Sequence, residues 1–69
     1  MEEKIELREE FIKLCQALKA VGFVDSGVEA KIVINDGLVL VNNEVETRRG
    51  RKLYHGDVVN YDNKIIRII

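Results

Sequence analysis

The sequence predicts an α+β fold, two helices with a small, mostly antiparallel sheet. Three observations carry that prediction. Phe11, Leu14, Cys15 and Leu18 fall at i, i+3, i+4 and i+7, the period of a helix with one apolar face. Ser26 followed three residues later by Glu29 is a helix-start signature, and Gly37 is a matching stop. The second half then breaks into short apolar runs around Asn42-Asn43 and Asp62-Asn63, residue types that tolerate the positive φ of a two-residue hairpin turn.

Taken in order, residues 3–7 alternate polar and apolar side chains, as a half-buried edge strand does. A helix is expected from Glu9 to about Val21, with Lys13, Gln16 and Lys19 on its other faces and Gly22 as its stop. Glu9 and Glu10 would open it, where the helix dipole favours negative charge. The second helix is expected over Gly27–Asp36, with Ser26 and Glu29 each satisfying the other's free backbone N–H. Its apolar residues Val28, Ala30, Ile32, Val33 and Ile34 wrap most of the cylinder. Such a helix packs on two sides or leaves a stripe for a partner, and packing of Val28 and Ile32 against the N-terminal strand is the simpler expectation. Leu38–Val41 reads as a buried strand, and Glu44–Thr47 as an alternating strand with its glutamates facing water. Gly50 lets the backbone bend, Leu53-Tyr54 resumes the apolar pattern, and His55-Gly56-Asp57 is a turn. Val58–Tyr61 and Lys64–Ile69 close the chain as a hairpin.

A length of 69 residues predicts one domain, 1–69, with a thin margin of stability. The composition, 46% hydrophobic and 33% charged, is that of a folded globular chain and not of a disordered tail. The single cysteine and single histidine leave no intramolecular disulfide and no structural zinc site, so no metal or cofactor is expected. No apolar run approaches the roughly 20 residues of a membrane span, and the acidic N-terminus lacks the apolar core of a secretory signal. A cytoplasmic protein without a membrane partner is the expectation. Catalysis finds no foothold: no nucleophile has an evident base partner, there is no glycine-rich phosphate loop, and Asp57 and Asp62 are turn residues. Neither an enzyme nor a small-molecule substrate is expected. Cys15 reads as inert core.

The net charge of −1 conceals a division, −3 over residues 1–30 and +2 over residues 31–69. Four of the bases, Arg48, Arg49, Arg51 and Lys52, lie within five residues with no acid among them. Charges act locally, over a Debye length of about 8 Å at physiological salt, so a cationic patch survives a near-neutral total. The plain reading is a solvated loop, paired with Glu44, Glu46 or the acidic N-terminus. Against it, four clustered cations repel unless an anion is near. Three of the four are arginines, whose guanidinium forks match phosphate bidentately.

The run Ser26, Ala30, Lys31, Ile34, Gly37, Val39, Val41, Asn42, Val45, Thr47 and Gly56-Asp57-Val58 resembles the S-four-type RNA-binding domain, also called the alpha-L motif. The likeness covers about half the chain without a gap, and VNNEVETRRGRKLYHGDVV resembles the small stand-alone bacterial members. The resemblance implies two packed helices on a small, mostly antiparallel twisted sheet, with the second helix and the loop after it facing RNA. Where the family often carries cations on that helix, this sequence has Gly27, Asn35 and Asp36, and Lys31 alone remains. Weight therefore moves to the basic run. The expected RNA-binding residues are Lys31, Arg48, Arg49, Arg51 and Lys52, with Ser26, Tyr54 and His55 as further candidates, Tyr54 by stacking on a base. The expected partner is structured RNA, ribosomal RNA or a ribosomal subunit first. It would be read through phosphates, 2′-hydroxyls and helix shape, since duplex RNA hides its base edges.

A second reading comes from another class. VNNEV and the later GDVV also resemble part of β-grasp-like protein-docking domains and sulfur carriers. A carrier needs a C-terminal Gly-Gly, whereas this sequence ends Ile66-Arg67-Ile68-Ile69, so protein docking is the form of that reading that stays open.

Overall fold

The computed structural model describes all residues, 1–69. The elements are β1 (Glu2–Ile5), β2 (Ile12–Lys13), α1 (Leu14–Ala20), α2 (Gly27–Asn35), β3 (Val39–Val41), β4 (Glu44–Val45), β5 (Lys52–Leu53), β6 (Val58–Tyr61) and β7 (Lys64–Ile68). Five strands form one sheet in the order β1-β7-β6-β3-β4, and β2 with β5 forms a separate ribbon. All pairings are antiparallel except β1 with β7. The expected α+β layout holds, with β1 on the edge.

The local signals act as their chemistry requires. Ser26 is extended, and its Oγ accepts the Glu29 N–H at 3.1 Å, capping α2. Glu29 reaches back one residue further than expected and accepts the Asp25 N–H, not that of Ser26. Gly22 and Gly37 end the helices at φ +78 and +77. Beyond each glycine the next N–H closes the last turn, Phe23 onto the Leu18 carbonyl and Leu38 onto the Val33 carbonyl. Asn42-Asn43 and Asp62-Asn63 all have positive φ, between 52 and 69, so both hairpins turn where the sequence placed them.

The start of α1 departs from the expectation. Residues 9–13 are not helical; Ile12 and Lys13 pair with Leu53 and Lys52, and the helix begins at Leu14. The cause is tertiary: Leu14 and Cys15 donate their N–H groups to the carbonyls of Arg51 and Arg49 at 2.8 and 3.1 Å. The basic loop supplies the acceptors that an earlier helical turn would have supplied. Glu9 and Glu10 therefore lie outside the helix, whose first turn has no acid. Phe11 leaves the helical stripe and sits half-buried beside Tyr54, their ring centroids 6.2 Å apart.

Alternation along the strands divides the sheet. Val39, Val41, Val59, Ile66 and Ile68 face inward and are at most 1% exposed, packed with Leu14, Ala17 and Leu18 of α1 and Ala30, Val33 and Ile34 of α2. Leu40, Val58 and Ile65 point to the other face, half-buried. Leu38 precedes β3 and is exposed, so the buried strand is one residue shorter than the apolar run. Val28 and Ile32 are exposed as well; α2 packs on one side only, and the expected packing on the N-terminal strand is absent because that strand pairs with β7 at the far edge of the sheet. No helix is long and apolar enough to cross a membrane.

Candidate nucleic-acid interface

The basic run lies between β4 and β5 as a loop pinned at both ends. Below it, the Arg49 and Arg51 carbonyls are bound by the first N–H groups of α1. Within it, the Arg51 N–H closes a turn onto the Arg48 carbonyl at 3.1 Å. Beyond it, Lys52 and Leu53 are held in the ribbon with β2, Leu53 fully buried. The backbone is thus fixed while the side chains of Arg48, Arg49 and Lys52 are exposed and Arg51 is half-buried.

One acid stands among these cations. Glu46 was expected to face water; it is instead 6% exposed, the one buried charged residue, while Val45 beside it is 60% exposed. The register of β4 sets Val45 opposite Leu40 on the outer face, and the Glu46 N–H donates to the Val39 carbonyl at 3.0 Å. Val39 faces inward, so strand alternation itself carries the Glu46 side chain inward beneath the loop. Its Oε2 accepts from the Arg48 N–H at 3.1 Å and from Arg48 Nε at 2.9 Å. Its Oε1 accepts from Arg48 Nη2 at 3.1 Å and from Arg51 Nη1 at 2.7 Å. The hydrogen bonds from Arg48, then those from Arg51, hold the Glu46 carboxyl down at about 2 against the opposing effect of its burial. The same contact raises the affinity of the Arg48 guanidinium for its proton. The plain reading of paired charges is therefore realised for Arg48 and Arg51, while Arg49 and Lys52 have no acidic partner.

A further cation enters through the ribbon. Lys13 lies directly opposite Lys52, and both are exposed. Like charges in that cross-strand position are unfavourable, and no carboxylate bridges them. Lys13 was read as the outer face of a helix; only the ladder brings it to the loop. Lys52 also places its Nζ 4.8 Å from the centre of the Phe11 ring. Lys31 is exposed on α2 and joins the loop through no hydrogen bond or ion pair.

The remaining candidates have local structural duties. The Ser26 hydroxyl oxygen is taken up by the cap of α2. Tyr54 is 43% exposed, and its N–H donates to Asp57 Oδ2 at 2.8 Å. His55 is exposed at the tip of that turn. Asp57 Oδ1 accepts from Asn42 Nδ2 at 3.0 Å, and Asn42 Oδ1 accepts the Val58 N–H at 2.9 Å. Asn42 and Asp57 thus tie the first hairpin turn to the turn after the basic loop.

The chain is similar to known proteins over most of its length. The family model of the S4 domain matches residues 5–69. RlbA of Bacillus subtilis (strain 168), named as a probable ribosome maturation protein, is 45% identical over 62 residues, covering 90% of this chain and 87% of RlbA. YbcJ of Escherichia coli (strain K12), named as a candidate RNA-binding protein, is 36% identical over 58 residues, covering 84% of this chain and 83% of YbcJ. The solution structure of YbcJ superposes with a TM-score of 0.68 at 31% identity, covering 99% of this chain and 85% of that one. It is described as revealing an alfaL motif involved in RNA binding.

Proposed function

The chain belongs to the S4 domain family, and from that premise we propose that residues 1–69 form one non-catalytic module for structured RNA, ribosomal RNA first. The observation that carries this reading is the pinned loop: Arg48, Arg49, Arg51 and Lys52, with Lys13 brought alongside and Glu46 the one acid in an ion pair with any of them. A fixed backbone presenting separate cations suits the phosphates of a folded RNA, whose spacing is also fixed. RlbA, named for ribosome maturation, supports ribosomal RNA as the class to test first. Arg49 and Lys52 carry the unpaired charge, Lys13 extends it, and Lys31 supplies a separate point on α2.

Filter binding to folded ribosomal RNA fragments across a salt series tests this. About four phosphate contacts give a slope of log K against log salt of roughly −3. Arg49→Ala with Lys52→Ala should flatten that slope by about 1 to 2. A salt-independent affinity, or an unchanged slope in the double variant, sinks the reading.

The exposed Val28 and Ile32 on α2 favour a second reading, a protein-docking face. Pull-downs with and without ribonuclease separate the two. Partners that survive digestion and are lost with Val28→Ser and Ile32→Ser belong to docking.

A further inference from the structure

Resting on the RNA reading, we propose that Glu46 is a positioning residue for RNA binding: its buried carboxylate fixes the guanidiniums of Arg48 and Arg51 so that their outer edges are ready for phosphate. On charge alone Glu46 is a defect, a negative group set among the cations that should attract RNA. Its geometry argues otherwise. Both oxygens are engaged twice, and the four donors come from Arg48 and Arg51 alone.

The contact uses one edge of Arg48, the Nε and Nη2 hydrogens, and the side chain is still 73% exposed. A guanidinium has five N–H donors, so the Nη1–Nη2 edge remains as a second fork of the kind that takes phosphate bidentately. Arg51 gives Nη1 to the same carboxylate, which sets the two planes around one anchor. A free arginine must lose its rotamer freedom when it grips a phosphate; one already held by Glu46 has lost it on folding. The carboxylate therefore subtracts a charge and adds order, and the two effects have opposite signs in a binding measurement.

That opposition makes the test direct. Glu46→Gln and Glu44→Gln each remove one negative charge from the same segment, and Glu44 is exposed without an arginine contact. Affinity for a folded stem-loop fragment of ribosomal RNA is measured by filter binding over a salt series, with circular dichroism confirming that each variant is folded. Glu44→Gln should bind slightly tighter than the wild type. Glu46→Gln should bind about tenfold weaker despite its extra net positive charge. Arg48→Lys keeps the charge at an exposed position but cannot hold carboxylate and phosphate with two forks, and should bind several-fold weaker with an unchanged salt slope. Glu46→Gln binding as tightly as Glu44→Gln, or Arg48→Lys matching the wild type, overturns the proposal. Failure of the wild-type protein itself to bind RNA overturns the RNA reading beneath it, a distinct result.

Discussion

Glu46 shows at the scale of one residue how a position can differ from its neighbours in a strand. Its carboxyl titrates at about 2, below the ordinary 4.5, because the Arg48 and then the Arg51 hydrogen bonds favour the ionised form. The stability this represents is fully present above about pH 4.5 and is lost as pH falls toward about 2. Solvent around Arg48 screens the pair, so its worth at neutral pH is about 1–2 kcal/mol. Urea unfolding of the wild type and Glu46→Gln should differ by that amount at pH 7 and converge across this acid window. A difference that stays constant down to pH 2.5 would show that the ion pair does not carry it.

Single elements are decided by their ends. Gly37 holds φ +77 with only Val45 Cγ1 near a would-be Cβ, at 3.7 Å, so Gly37→Ala meets a backbone penalty and not a clash. It should lower stability by about 1–2 kcal/mol, read as a reduced urea midpoint. Asn42 combines a φ of 52 with two side-chain hydrogen bonds, to Asp57 and to the Val58 N–H. Asn42→Gly keeps the turn conformation and removes the bonds. A loss of about 1–2 kcal/mol in Asn42→Gly would assign the residue's role to the network; a loss confined to Asn42→Ala would assign it to the turn. Amide exchange at Val58 reports the same distinction locally, since its N–H is the one released.

For the whole molecule, the core is shallow enough that single residues matter. A chain of 69 residues has a net stability of about 3–10 kcal/mol. Ile66, fully buried on β7 between β1 and β6, faces the helices. Ile66→Ala should cost about 2–5 kcal/mol and leave a large unfolded fraction at 37 °C, measured by thermal denaturation. Val28→Ser and Ile32→Ser, on the open side of α2, should each change stability by no more than about 0.5 kcal/mol. A large loss at either would place that face inside the fold after all.

The sequence alone determined most features governed by neighbours along the chain. The Ser26 cap, the glycine stops and the paired asparagine and aspartate turns depend on φ preferences and short-range hydrogen bonds, which a residue carries with it. The basic loop was legible for the same reason, as four cations within five residues. Tertiary structure decided what depended on partners distant in sequence. Leu14 donates to Arg51 across 37 positions, so the start of α1 was set by a carbonyl that no helical period announces. Lys13 joined the cations by pairing with Lys52. Glu46, two and five residues from its arginines, was near enough to read, yet its alternation with Val45 pointed to water. The pairing register decided the opposite sense, setting Val45 across from outward Leu40 and Glu46 beside inward Val39. Desolvating a carboxylate is unfavourable unless charged donors meet it, and whether they do is a property of the folded loop.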